Sequence, residues 1–276
     1  KNNLTKENPV NPLSIKSKKQ VEVTQLAMHP SGTMVAYAEN EIGRIRIFIH
    51  DMLNDERNPV FKYGYRNAIQ ATDYNFPILA WNPNGLELTY VYEKNDEIFI
   101  AQYDVASGDV LEEVLDPQYD RVHSISYKNN IQVVLSATVG GHSDLYLYNT
   151  KSKLSKRLTN DHFDDIDARY AQFGGFEGIL FASNRKDLSL DRRRIDTILP
   201  IDHLDIFFLE LGEDENTLTQ VTNTPFVSEQ MAMSLDSTYY TYINDDNGIA
   251  NRYRGYLEEV VIGYETTLFL TNGEKV

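Results

Sequence analysis

The sequence predicts an all-β chain built from one repeated four-stranded unit, and three observations predict it. Short apolar/polar alternations of strand length recur along the chain, each bounded by Gly, Asn, Asp or Ser. Tyr and Phe are plentiful, 18 and 12 against a single Trp, and such rings suit a pleated, half-buried surface. Turn dipeptides are frequent: Asn84-Gly85, Ser107-Gly108, Asn247-Gly248 and Asn272-Gly273. The stretch from Asp144 to Arg185 shows the unit across its seam. Leu145 and Leu147 alternate in one strand, a polar turn follows at 149–153, and Arg157-Leu158-Thr159 closes the unit. The polar loop 160–164 leads into a new alternation at Ile166, Ala168 and Tyr170, then a Gly174-Gly175 turn and a strand at 179–183.

Taken in order, residues 1–20 are polar, hold two prolines and show no sustained period, so they predict a linker or surface arm. From Val21 to Val276 the units follow one another. The first carries strands at 34–38 and 44–49, the second at 86–92 and 97–103, and the third at 122–127, 133–137 and 144–148. The fourth runs through 166–183, 205–211 and 218–222, and the fifth through 230–237 and 239–244. MHPSG at 28–32, WNPNG at 81–85 and MSLDS at 233–237 occupy the same turn, where Pro sets φ and Gly or Asn accepts positive φ. Their starts lie 53 and then 152 residues apart, a spacing of about 50 residues per unit. One small sheet cannot bury both of its faces alone. Radial stacking buries them, which makes a β-propeller of four-stranded blades the expected fold. Two stretches depart from the repeat: an insertion at 186–201, with Arg192, Arg193 and Arg194 in succession, and a polar connection at 245–254 in the fifth unit.

Composition narrows the function. The chain has 276 residues and a formal net charge of -15, from 26 basic and 41 acidic side chains, which argues against nucleic acid as a partner. Without cysteine there is no disulfide, thiolate metal site or cysteine nucleophile. No apolar run approaches the ~20 residues of a membrane-spanning helix. The start at Lys1 and the five countable units predict a piece of a larger polypeptide or complex. The sequence contains no nucleophile-elbow, zincin or phosphate-loop motif, so no catalytic residue is assigned.

Leu158-Thr159-Asn160, Trp81-Asn82-Pro83-Asn84-Gly85 and Phe181-Ala182-Ser183-Asn184-Arg185 carry a family resemblance. With the second end-of-unit element at 220–223, they make the chain resemble the TolB-like six-bladed β-propellers. That resemblance implies six blades, of which five are countable here. It also implies a non-catalytic protein-interaction scaffold of a bacterial envelope assembly, periplasmic or associated with the outer membrane, with envelope proteins as partners. Propellers of this type also serve as gating domains of serine peptidases and as glycan-binding or lyase modules, and both alternatives stay open.

Three groups of residues are candidates for binding. Asp161, Asp164, Asp165 and Asp167, with His162, form the densest acidic cluster. Its oxygens suit Ca2+, although the spacing of a calcium loop is missing, and a solvated loop with turn-capping Asp is the other possibility. The loop also sits where one blade passes to the next, so Asp164, Asp165 and Asp167 are expected on a docking face. Arg192, Arg193 and Arg194 would pair with an acidic partner or with the chain's own acidic surface. Arg252 and Arg254 flank Tyr253 as possible contact residues, while Tyr253 also suits core packing.

Overall fold

The computed structural model describes residues 21–67, 73–190, 203–212 and 216–257. Four sheets of four strands and one of three are each a simple antiparallel meander. Blade 1 comprises β1 (Glu22–Met28), β2 (Met34–Glu41), β3 (Arg44–Asp51) and β4 (Glu56–Tyr63). Blade 2 comprises β5 (Ile78–Trp81), β6 (Glu87–Lys94), β7 (Glu97–Asp104) and β8 (Val110–Val114). Blade 3 is β9 (Arg121–Asn129), β10 (Gln132–Val139), β11 (His142–Asn149) and β12 (Ser155–Arg157). Blade 4 is β13 (Asp165–Phe173), β14 (Phe176–Ser183), β15 (Asp205–Glu210) and β16 (Thr217–Gln220). Blade 5 holds β17 (Glu229–Ser234), β18 (Tyr239–Asn244) and β19 (Asn251–Tyr256). The first strands of successive blades touch in the order β1, β5, β9, β13, β17, so they line the axis of a propeller.

Burial follows strand position. The second strands read as near-continuous apolar runs, Val133-Val134-Leu135 in β10 and Ile179-Leu180-Phe181-Ala182 in β14, because each packs on a neighbouring blade through both faces. The fourth strands alternate and are largely exposed. Four apolar interfaces join the five blades. Ala36, Ala38 and Ile47 meet Leu79, Trp81 and Tyr90 between blades 1 and 2. Val91 and Ile100 meet Val122, Ile125 and Leu135 between blades 2 and 3. Val134 and Leu145 meet Ile179, Phe181 and Phe207 at the next interface. Leu180, Ala182 and Phe208 meet Ala232 and Tyr240 at the last. Each fully buried Leu, Ile or Phe contributes about 1.5–3 kcal/mol relative to exposure.

Polar bonds fix the repeat elements in place. The Leu-Thr and Val-Thr elements are internal ties: Leu145 N–H donates to Thr159 Oγ1 at 3.0 Å, and Ile206 N–H donates to Thr222 Oγ1 at 2.8 Å. Both fasten the end of a blade's outer strand to the start of its third strand. The mid-blade turns form a belt between blades. His29 Nε2 lies 2.8 Å from Gly85 O, and its ring meets Trp81 edge-on at 4.6 Å. Gly85 has φ +73°, and a Cβ there would stand 2.7 Å from His29 Nε2, so only glycine allows this approach. Asn82 Nδ2 continues the belt to Asn130 O at 3.1 Å, and Gly174 N–H donates to Ser237 O at 2.8 Å between blades 4 and 5.

The fifth unit needs a correction. Residues 251–254, expected in a polar connection, begin β19, which pairs with β18 from Asn244↔Asn251 to Tyr239↔Tyr256. Their alternation was masked because one face of β19 is arginine-rich. The insertion does lie between β14 and β15, but Arg192, Arg193 and Arg194 fall outside the described residues, as does the expected arm at 1–20. Among the described residues no helix is long and apolar enough to cross a membrane.

Replacing Thr159 by Val keeps the shape of the side chain and leaves the buried Leu145 N–H without its acceptor. We expect a loss of about 1–3 kcal/mol in urea unfolding, with faster amide exchange at Leu145. Thr222→Val is expected to do the same at Ile206.

Candidate docking site at the seam of blades 3 and 4

The axial strands serve two neighbours at once, and bulges resolve the conflict. In β9, Val122 packs toward blade 2, whereas Ser124 donates to Ala168 O of β13. The register slips between the pairs Ser136↔Ser124 and Ala137↔Val122, leaving His123 as the extra residue. β13 slips between Ile166 and Arg169, and β17 between Gln230 and Met233. Asp167 and Met231 in these bulges have φ of 57° and 53°, the left-handed region. Asp167 Oδ2 accepts the Met231 N–H at 3.2 Å, so one bulge is tied to the next across the blade boundary.

These bulges gather a polar group on the axial wall. His123 Nε2 is shared by Thr138 Oγ1 at 2.8 Å and Ser143 Oγ at 3.3 Å. Burial holds the imidazole below its ordinary pKa, Arg121 adds to the shift, and Asp167 and Asp164 oppose it. Burial also raises the Asp167 carboxyl, against its bond from Met231 and the charges of Arg169 and His123. The crowding of protein around Arg169 lowers its pKa, with Asp167 opposing and Arg252 reinforcing the shift. Asp164 accepts the Ser143 N–H at 3.3 Å, and its own N–H donates to Asn184 Oδ1 at 2.9 Å. Although His123 contacts a serine, the arrangement is no acyl-transfer triad. Its Nε2 is divided between two hydroxyls, Ser143 is buried, and among the described residues no carboxylate bonds its Nδ1.

Behind this wall lies a buried charge centre. Arg185 Nη2 donates to both oxygens of Asp165 at 2.7 Å, its Nε donates to Ser183 Oγ at 3.1 Å, and Asp161 Oδ2 stands 3.3 Å away. The guanidinium is flanked by Phe163, Phe181 and Phe207, at 5.4, 5.6 and 5.7 Å from the ring centroids. Burial pushes the Asp165 carboxyl up to about 6, with the Arg185 charge opposing the shift and Asp161 adding to it. Although burial opposes it, Asp165 and Asp161 hold the guanidinium above its ordinary value. Asp144 completes the group and is itself paired with Arg157, whose Nε donates to Thr159 O at 3.0 Å.

The structure therefore divides the acidic cluster expected on the docking face. Asp161 and Asp165 turn inward, and the Asp165 side chain is 0% exposed, so it offers nothing to a partner directly. Asp164 and Asp167 remain at the axial wall. Ligand atoms of Asp144, Asp161 and Asp165 lie within 4.8 Å of one another, a group that shares only Asp161 and Asp165 with the four aspartates the sequence suggested for Ca2+. Arg157 and Arg185 already neutralise most of its charge. Arg252 and Arg254 lie apart from the seam on β19, and Tyr253 packs inward, stacked on Tyr242 with its hydroxyl donating to Asp246 at 2.7 Å. Sequence reasoning missed Arg185 and His123. Arg185 ends the Phe181–Arg185 motif, so its position was visible but its partners were not.

Arg185→Met strands two buried carboxylates, and we expect a loss of about 3–5 kcal/mol in chemical unfolding. Arg185→Lys, which keeps the charge but not the planar fork, should fall between the two. The His123 shift has a defined sign. Its folded pKa lies below the unfolded value of about 6.5, so the unfolded chain binds the extra proton and stability falls as pH drops below that value. In His123→Gln, unfolding midpoints should decline less steeply through this window.

No family model matches the chain. The Tol-Pal system protein TolB of Helicobacter hepaticus is 32% identical over 105 residues, 38% of this chain and 24% of that protein, so the match spans less than two thirds of the relative's length. TolB from Acinetobacter baumannii aligns with a TM-score of 0.62 at 14% identity, over 85% of this chain and 52% of that one. The β-propeller domain of the Trilobed protease from Pyrococcus furiosus aligns with a TM-score of 0.54 at 12% identity, over 89% and 70%. In fold this chain is a β-propeller, similar to the propellers of TolB proteins.

Proposed function

We propose that the chain is a non-catalytic interaction propeller of a bacterial envelope assembly, periplasmic or associated with the outer membrane, whose partners are envelope proteins. The observation that carries this is the 32% identity over 105 residues to a Tol-Pal system protein. The seam supports it physically. Asp164 and Asp167 stand at the axial wall beside His123 and Arg169, held by backbone bonds and backed by the Arg185 centre. A partner thus meets charged groups already fixed in place, which limits the ordering cost of binding. One observation favours a second role, as the gating propeller of a larger peptidase: the likeness to the Trilobed protease propeller.

A photo-crosslinking residue at position 164, with the full chain expressed in a bacterial periplasm, tests the proposal. The expected product is a discrete adduct with an envelope protein. Asp164→Asn combined with Asp167→Asn, which keeps an oxygen to accept the Ser143 and Met231 N–H groups, should weaken that association about tenfold with only a small change in unfolding midpoint. Adducts formed only with a peptidase domain would favour the gating role. No adduct from a folded chain would remove the seam as a docking face.

A further inference from the structure

The interface between blades 2 and 3 changes character along its length. At one end Val91, Ile100 and Leu115 pack on Val122, Ile125 and Leu135. Toward the mid-blade turns, blade 2 instead presents Glu87, Thr89 and Gln102. The repeat makes these positions comparable. Counted from MHPSG and WNPNG, Met34 and Ala36 match Glu87 and Thr89, and the cross-strand partners Ile49 and Gln102 match each other. Met34, Ala36 and Ile49 belong to the apolar interface between blades 1 and 2. The corresponding pair of blade 3, Val134 and Leu147, is apolar as well. Thr89 is nonetheless 0% exposed, with its Oγ1 2.6 Å from the Tyr127 hydroxyl, to which Gln102 Nε2 donates at 3.5 Å. A polar break in an apolar repeat is the kind of local departure that gathers at functional sites.

The walls part at this break and leave a cleft of about 540 Å³, bounded by β6–β8 and by the turns at 130–131 and 150–153. That size is ordinary for a small-molecule site. Blades 2 and 3 each have all four strands and already pack on each other, so no further blade has its place here. The cleft lies at the far end of β11 from Ser143 and Asp164, away from the seam. Its charges are of two kinds. Glu113 is paired with Lys153 and accepts from the Tyr148 hydroxyl at 3.1 Å. Glu87 and Lys151 form no ion pair within 4.0 Å among the described residues. Asn82 Nδ2 holds Glu87 in place, donating to its Oε2 at 3.0 Å and to Asn130 O at 3.1 Å. Leu111, directly across from Gln102 and 64% exposed, supplies an aliphatic lining together with Ile131.

We propose that this cleft binds a small zwitterion with an aliphatic side chain, an α-amino acid or a short peptide. Its ammonium pairs with Glu87, its carboxylate with Lys151, and its side chain lies against Leu111 and Ile131. A ligand of one charge gains one of these partners and is repelled by the other, whereas a zwitterion engages both. This inference does not depend on an envelope role, because the cleft is separate from the seam.

The test titrates the full chain with leucine, with Leu-Leu, with isopentylamine, which lacks the carboxylate, and with isocaproate, which lacks the ammonium. Leucine or Leu-Leu is expected to bind at least about tenfold more tightly than either singly charged analogue, with amide-exchange protection confined to 84–89, 129–131 and 149–153. Tighter binding of leucine assigns a free amino acid, and tighter binding of Leu-Leu a peptide; both support the proposal. Lys151→Gln should erase the preference for the zwitterion over isopentylamine, and Glu87→Gln its preference over isocaproate. Lys151 stands on an exposed turn, and Glu87→Gln keeps an oxygen for Asn82, so unfolding midpoints should hold. If Glu87→Gln shifts its midpoint, the Lys151→Gln arm decides. Binding of neither zwitterion, equal binding of the singly charged analogues, a preference that survives Lys151→Gln, or protection elsewhere would overturn the proposal.

Discussion

Face-to-face contact between neighbouring sheets is the constraint on which this molecule rests. No blade has a core of its own. Val134 and Leu135, adjacent in β10, look in opposite directions into two different interfaces. This explains why second strands are apolar without alternation while fourth strands, at the perimeter, alternate freely. It also explains where polar bonds between blades concentrate. Ser136 Oγ, on β10, donates to Asp165 O at 2.6 Å, and Ser124 Oγ, on β9, donates to Ala168 O, both across the boundary to β13. Small hydroxyls satisfy backbone carbonyls there that water cannot reach.

The buried centre around Arg185 has a different purpose from the apolar interfaces. Apolar side chains of similar volume in the place of this ionic group would often stabilise a fold as well or better. What the ions supply is direction. Both Asp165 oxygens are engaged, Ser183 holds the guanidinium from the side, and three rings enclose it. The loop entering β13 therefore has one geometry, and Asp164, next to this anchor, inherits it. Rigid support behind the half-buried Asp164 carboxylate gives this polar loop one defined shape.

Much of the architecture was legible in the sequence because turn chemistry is local. Pro30, Gly32, Pro83 and Gly85 reveal their turns without knowledge of any distant residue, and the spacing of such turns gives the blade period. The end-of-blade threonines were visible as a repeat, though their bonds to Leu145 and Ile206 were not. β19 was missed because Arg252 and Arg254 suggest solvent when the alternation they belong to borders an open face. The acidic cluster misled for a related reason. Asp161 to Asp167 looks like one polar run, but burial is decided by Arg185, twenty residues beyond Asp165, and by Asp144, which precedes Asp161 on another strand. Nor does any local signal announce a bulge, since the slip at His123 arises from the competing demands of blades 2 and 4.

The bulges carry a consequence for how such a molecule diversifies. A regular strand commits every side chain to one interface or the other, so each substitution is felt in packing. His123, Asp167 and Met231 are surplus to both ladders. Their side chains answer to bonds along the axis rather than to the packing of either wall, so a substitution there is felt in those bonds and not in the apolar interfaces.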